Sequence, residues 1–225
     1  MRQDSPVTII AFAGISQAFG GIPPFNFVRA LGNAKANIIF VRDPNNKWFG
    51  NPIPDLGDST LEMAANLRLI VNELNTNQLC LMGISSGAFA ALMFAALIED
   101  PCRVLAFSPQ TCIRPSFLNM IGDSRYNQKL HGRRDSEVQD VLPLLETAIN
   151  IEKIHAILGK QDPLDVHHIQ RLSDLPNVVT HIIECGHNTA GYLKKRRLLQ
   201  SAIDRFIHCD DQGFSTMLYE EITIL

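Results

Sequence analysis

Three residues in this chain have the types, order and settings for nucleophilic acyl chemistry. Ser85 sits in Gly83-Ile84-Ser85-Ser86-Gly87, directly after the apolar run Cys80-Leu81-Met82 and directly before an alanine-rich stretch. Gly-x-Ser-x-Gly between a strand and a helix holds the serine on a tight turn, its hydroxyl exposed at the sheet edge. The glycines belong there because backbone and neighbouring elements come too close for a Cβ. A serine hydroxyl needs a base to take its proton. Asp162, in Gly159-Lys160-Gln161-Asp162-Pro163, and His187, in Glu184-Cys185-Gly186-His187-Asn188, follow it in the order Ser, Asp, His. Each comes just after an apolar run, where open α/β sheets gather their ligands and chemistry. His187 then reads as base and later acid. Asp162 reads as the group that fixes the imidazole tautomer and stabilises the imidazolium. Asp165, three residues on, is the alternative acid. Taken singly, His187 is a loop histidine and Asp162 a turn former before proline. The ordered set is what points to catalysis.

Acyl transfer also needs N–H donors for the developing oxyanion. Ser86, after the nucleophile, supplies one, and Gly14 or Ile15 in the loop after the first apolar run is the natural second. That loop lacks a His-Gly-Gly run, so the choice between them stays open. Gly20, Gly21, Pro23 and Pro24 suggest a shaped loop near the mouth. Trp48, the only tryptophan, reads either as a substrate-pocket wall or as a loop anchor, and Gln110 as a second pocket residue. His131 is a candidate to touch substrate. His167 and His168 read as surface or capping residues, and His155 and His181 as packed polar groups inside strands.

Positioning these residues requires strands that end on one rim. Continuous apolar runs suit strands buried on both faces of a parallel sheet. Six occur, over 7–13, 37–41, 78–82, 103–107, 154–158 and 178–183. Helical patterns lie between them: one capped by Ser59 or Thr60, one from Ser86 to Glu99 that is apolar nearly all round, and one from Tyr192 to His208. Strand and helix in alternation predict a doubly wound, mostly parallel α/β sheet. Residues 110–153 break the rhythm. They read as a lid or cap insertion within one domain over 1–225, with a helix over Val138 to Ile149 despite Pro143. The end of the chain, Gly213 to Leu225, reads as an added strand, a packed tail or a dimer contact.

In these motifs the chain resembles the α/β-hydrolase superfamily from the Val7 strand to the His208 helix. The resemblance rests on Gly83-Ile84-Ser85-Ser86-Gly87, Gly159-Lys160-Gln161-Asp162 and Gly186-His187. It implies a sheet of about eight strands, of which this chain shows six and lacks an N-terminal antiparallel pair. It also implies Ser85 as nucleophile, Asp162 as acid and His187 as base. Asp43 with Lys47-Trp48-Phe49 and the Gly57-Asp58 turn, and Phe107-Ser108-Pro109-Gln110-Thr111, are similar to a bacterial branch found near polysaccharide or surface-modification functions. The implied activity is serine hydrolysis of a carboxylic ester or thioester. The alternatives are an acyltransferase using the same triad and a non-catalytic binding module.

Composition narrows the partners. Twenty basic and 23 acidic residues give a net charge of −3, with no basic stripe for nucleic acid and no polybasic cluster for a membrane. The run Lys194-Lys195-Arg196-Arg197 reads as a solvated helix face. The expected partner is a small-molecule acyl substrate. No cofactor is expected, since the first loop lacks Gly-x-Gly-x-x-Gly. No metal is expected either, since Cys185-Gly186-His187 has no second ligand pair at zinc spacing. Five cysteines in no repeated spacing read as reduced thiols, and the absence of an apolar leader makes a cytoplasmic location the expectation.

Overall fold

The structure is a computed structural model that describes residues 4–15, 24–134 and 137–223. Six strands form one sheet: β1 (Val7–Phe12), β2 (Asn37–Val41), β3 (Gln78–Ile84), β4 (Cys102–Phe107), β5 (Ile151–Gly159) and β6 (Val178–Ile183). Their order is β2-β1-β3-β4-β5-β6 and every pairing is parallel. The chain therefore winds outward one way from β1 and the other way from β3, and all strands end on the same rim. β3 and β4 are buried along almost their whole length, as their unbroken apolar runs require.

Ten helices are described: α1 (Val28–Leu31), α2 (Thr60–Glu73), α3 (Ser86–Ile98), α4 (Pro115–Ile121), α5 (Asn127–Leu130), α6 (Leu142–Thr147), α7 (Pro163–Gln170), α8 (Thr189–Lys195), α9 (Leu199–Ile207) and α10 (Asp211–Thr223). Ser59 caps α2, its side chain accepting from the Glu62 N–H. α3 is apolar on all sides because it lies under α2 and α6 against the sheet, with Phe89, Leu92 and Phe94 fully buried. Two cores result. One lies between the sheet and α2, α3 and the 110–153 segment; the other lies between the sheet and α1, α8, α9 and α10.

Three expectations about elements need correction. The pattern over Tyr192 to His208 is two helices, because Arg197 takes φ 62° and breaks the run between α8 and α9. The helix over Val138 to Ile149 shortens to Leu142–Thr147, with Pro143 in its first turn, where a missing N–H costs nothing. The final segment is a packed tail and not an added strand. It is α10, which sets Phe214 and Leu218 into the second core. Gly20, Gly21 and Pro23 lie outside the described residues. Residues 110–153 carry α4, α5 and α6, tied back by an antiparallel bridge between Cys112 and Asp140. Among the described residues all five cysteines are free, and only Cys209 is exposed. No described helix is long and apolar enough to cross a membrane.

Candidate active site

Ser85 ends β3 and opens α3 with φ 55° and ψ −119°, a conformation that lifts its side chain off both elements. Its own N–H donates to the Phe107 carbonyl at 2.9 Å, tying the turn to β4. The flanking glycines are obligatory here. A Cβ at Gly83 would lie 2.1 Å from the Gly87 carbonyl oxygen, and one at Gly87 would lie 2.4 Å from that of Phe12.

His187 comes from the turn between β6 and α8. Ser108, just past β4, donates to the His187 carbonyl at 2.5 Å and lies 3.0 Å from the Thr189 hydroxyl, so two buried hydroxyls hold that turn. His187 Nε2 stands 2.9 Å from Ser85 Oγ, and Nδ1 stands 2.9 and 2.7 Å from the two carboxylate oxygens of Asp165. A carboxylate only accepts, so the ring proton sits on Nδ1 and leaves Nε2 free to take the serine proton.

The acid in contact with His187 is therefore Asp165 and not Asp162. Asp162 caps α7: its Oδ1 accepts from the Leu164 and Asp165 N–H groups at 3.0 and 3.2 Å. That geometry commits Oδ1 to the helix cap, and Oδ2 accepts from Arg125, so neither oxygen bonds the imidazole. One turn into α7, Asp165 points inward and is fully buried. Arg125, between α4 and α5, bridges the two carboxylates at 2.9 Å from Asp162 and 3.5 Å from Asp165, while Asp123 holds its other edge at 2.8 Å. The Asp123 carboxyl is kept below its usual range despite burial, because Arg125 outweighs desolvation. Among the described residues Asp162, Asp165 and His187 are the one group close enough to share a metal ion. The guanidinium already supplies the positive charge there, and a cation beside it would be repelled.

The oxyanion donors divide. The Ser86 N–H belongs to the first turn of α3, where amides have no intrahelical acceptor. The Gly14 N–H is committed to Asn26 Oδ1 at 2.8 Å, and the Ile15 N–H to Ser86 Oγ at 2.8 Å. Ile15 is thus the loop amide next to the nucleophile turn, and Ser86 contributes a hydroxyl that the motif alone did not reveal. Tyr126 is a further neighbour. Burial raises its pKa against the lowering influence of Arg125 and Ser85.

Trp48 and Gln110 are a buried pair and not the wall of an open pocket. Trp48 Nε1 donates to Gln110 Oε1 at 2.8 Å, both residues are fully enclosed, and the indole edge packs on Tyr126. Asp43 organises this loop by accepting from the Asn45, Lys47 and Phe49 N–H groups. His168 is likewise buried and not a surface residue, accepting at Nδ1 from the Thr111 N–H. His155 and His181 are packed polar groups, as their strands suggested. His131 is exposed at the end of α5. Sequence reasoning missed Asp123, Arg125 and Tyr126. Their only signal was charge beside an aromatic residue inside an insertion with no apolar period.

Solved structures share this architecture. The chain is similar to the capsule O-acetyltransferase of Neisseria meningitidis serogroup A, at 19% identity and TM-score 0.65, covering 88% of each chain. It is also similar to the Pyrococcus furiosus esterase Pf2001 (15% identity, TM-score 0.59, 91% of this chain and 82% of that one). A third likeness is to Est816, described as an N-acyl homoserine lactone degrading enzyme (16% identity, TM-score 0.54, 85% of this chain and 92% of that one). These likenesses define the α/β-hydrolase fold. No protein-family model and no curated protein matches the sequence.

Proposed function

We propose that the chain is a serine enzyme of acyl transfer that cleaves a carboxylic ester or thioester. Its nucleophile is Ser85, its base His187 and its acid Asp165. The observation that carries this reading is the unbroken line from Ser85 Oγ to His187 Nε2 at 2.9 Å and from Nδ1 to the buried Asp165 at 2.7 Å. In the first half, Ser85 Oγ bonds to the acyl carbon while its proton passes to His187 Nε2. The carbon–oxygen or carbon–sulfur bond of the substrate then breaks, and the same proton goes to the leaving group. Asp165 stabilises the imidazolium between these events. The Ser86 N–H, together with the Ile15 N–H or the Ser86 hydroxyl, faces the negative charge on the former carbonyl oxygen. In the second half, water gives a proton to His187 Nε2 as its oxygen bonds to the acyl carbon; the bond from that carbon to Ser85 Oγ then breaks, and His187 returns the proton to Oγ, releasing the acid and free Ser85. Residues 110–153 act as the cap over this site within a single domain, and Arg125 and Tyr126 are its contribution.

An acyltransferase reading differs only in the second half, where an alcohol replaces water. The likeness to a capsule O-acetyltransferase over 88% of both chains favours keeping it. Product analysis with and without an alcohol acceptor separates the two. The test of the common core is a fluorophosphonate probe on folded protein. Labelling is expected at Ser85 and lost in Ser85→Ala, with turnover falling by about three orders of magnitude or more. An unlabelled Ser85 in folded protein would leave the non-catalytic binding module as the reading.

A further inference from the structure

Beside the catalytic pair lies a cavity of about 730 Å³ that the acyl chemistry does not account for. Ile84 and Asn188 in its wall are the chain neighbours of Ser85 and His187, which do not themselves line it. Phe27 contributes an apolar flank, and three cations enter from different places: Arg29 from α1, Lys194 from the last turn of α8, and Arg197 from the turn after it. Among the described residues no acidic residue lines the cavity. Among the described residues none of the three cations is ion-paired, whereas Arg68 and Arg205 are.

Lys194 could be accounted for by its helix, since a basic residue in the last turn complements the dipole. Arg29 stands in the last turn of the short helix α1 in the same way, but Arg197 lies outside both helices, in the turn after α8 at φ 62°. Gathering like charges into one concavity is unfavourable without a counter-charge, and such a concavity concentrates anions. The volume is that of a small-molecule site.

We propose that this groove binds an anionic group, phosphate or carboxylate, on the non-acyl half of the substrate, while the acyl carbon lies at Ser85. This rests on the acyl-transfer reading above and narrows it to anionic substrates. Such an anion comes from one of two sources: a phosphorylated carrier of the acyl group, or an acidic sugar that is the ester's alcohol. The basic run 194–197 is then partly a binding surface and not only a solvated helix face.

The test is calorimetric titration of the intact protein with coenzyme A and, separately, with a uronic-acid oligosaccharide, each at low and high salt. One of the two is expected to bind, with affinity falling as salt rises. It should weaken at least tenfold in the triple variant Arg29→Gln, Lys194→Gln, Arg197→Gln. The double variant Arg29→Gln, Lys194→Gln guards against a folding defect at Arg197, and Arg68→Gln on α2 serves as a charge control that should bind like wild type. Which ligand binds assigns the source. If neither binds, or if triple and double variants bind as wild type does, the proposal fails. Fluorophosphonate labelling of Ser85 in the same preparations separates the outcomes. Labelled protein that binds neither anion overturns the groove alone; anion binding with unlabelled Ser85 overturns the acyl chemistry.

Discussion

Both oxygens of Asp165 are committed, to His187 at 2.9 and 2.7 Å and to Arg125 at 3.5 Å, inside a site that excludes water from the carboxylate. Asp165→Asn is expected to lower kcat about 10³- to 10⁴-fold, because an amide can present its N–H to the ring and stabilise the wrong tautomer. Steady-state kinetics on an activated ester reads this directly. Asp162→Ala should cost chiefly stability, about 1 kcal/mol for a lost helix cap, seen as a lower urea midpoint. A kcat loss for Asp162→Ala equal to that for Asp165→Asn would contradict the assignment. The proposed nucleophile and base are legible in the sequence, since a glycine-flanked serine after one strand and a glycine-preceded histidine after another seldom serve the fold alone. The acid is not, because counting from the strand end selects the first carboxylate. Asp-Pro is also a helix-cap signature, and that signature places the free carboxylate one turn into α7.

At the scale of elements, the turn between β3 and α3 tolerates no side chain. Gly87→Ala would press a methyl group to within 2.4 Å of the Phe12 carbonyl, which belongs to the neighbouring strand and cannot yield. A stability loss of at least about 2 kcal/mol is expected from this overpacking, measured by urea unfolding. The 110–153 segment reaches the acid through a single side chain, Arg125, held in turn by Asp123. Arg125→Gln should reduce kcat roughly tenfold while leaving the sheet intact, the modest loss expected when a supporting group and not a reacting one is removed. Circular dichroism beside the kinetics distinguishes this from unfolding. The six strands and α2 and α3 are legible because period and capping speak locally. The break between α8 and α9 is not, because nothing in Lys195-Arg196-Arg197-Leu198 is a helix breaker by type. The left-handed turn at Arg197 separates the two helices without a glycine to mark it. The inward path of 110–153 is hidden because its contacts, such as Arg125 to Asp165, are long-range.

For the molecule as a whole, three histidines are buried in neutral form. Burial pushes His168 down to about 4 and His181, further depressed by His155, down to about 3; burial also lowers His155. Asp211 accepts from His155 Nε2, so His155 Nδ1 accepts from His181 Nε2–H, a chain that requires the His155 ring uncharged. Folded pKa values below the unfolded value near 6.5 mean that the unfolded chain takes up protons first. Stability is therefore complete above pH 6.5 and falls as pH drops toward 4 and 3, by up to ~1.4 kcal/mol per pH unit for each histidine. Urea midpoints from pH 8 to 4 should show this slope, and His181→Asn should flatten it; an unchanged slope would remove His181 from the account. The order β2-β1-β3-β4-β5-β6 has one more consequence. Ribosomes deliver β1 through β4, and with them the serine elbow, well before the acid and the histidine exist. A nascent chain halted ahead of β5 can close the turn around Ser85, yet it has nothing to take the proton. On the proposed chemistry, the serine therefore gains its base only when the last strand and its following loop dock.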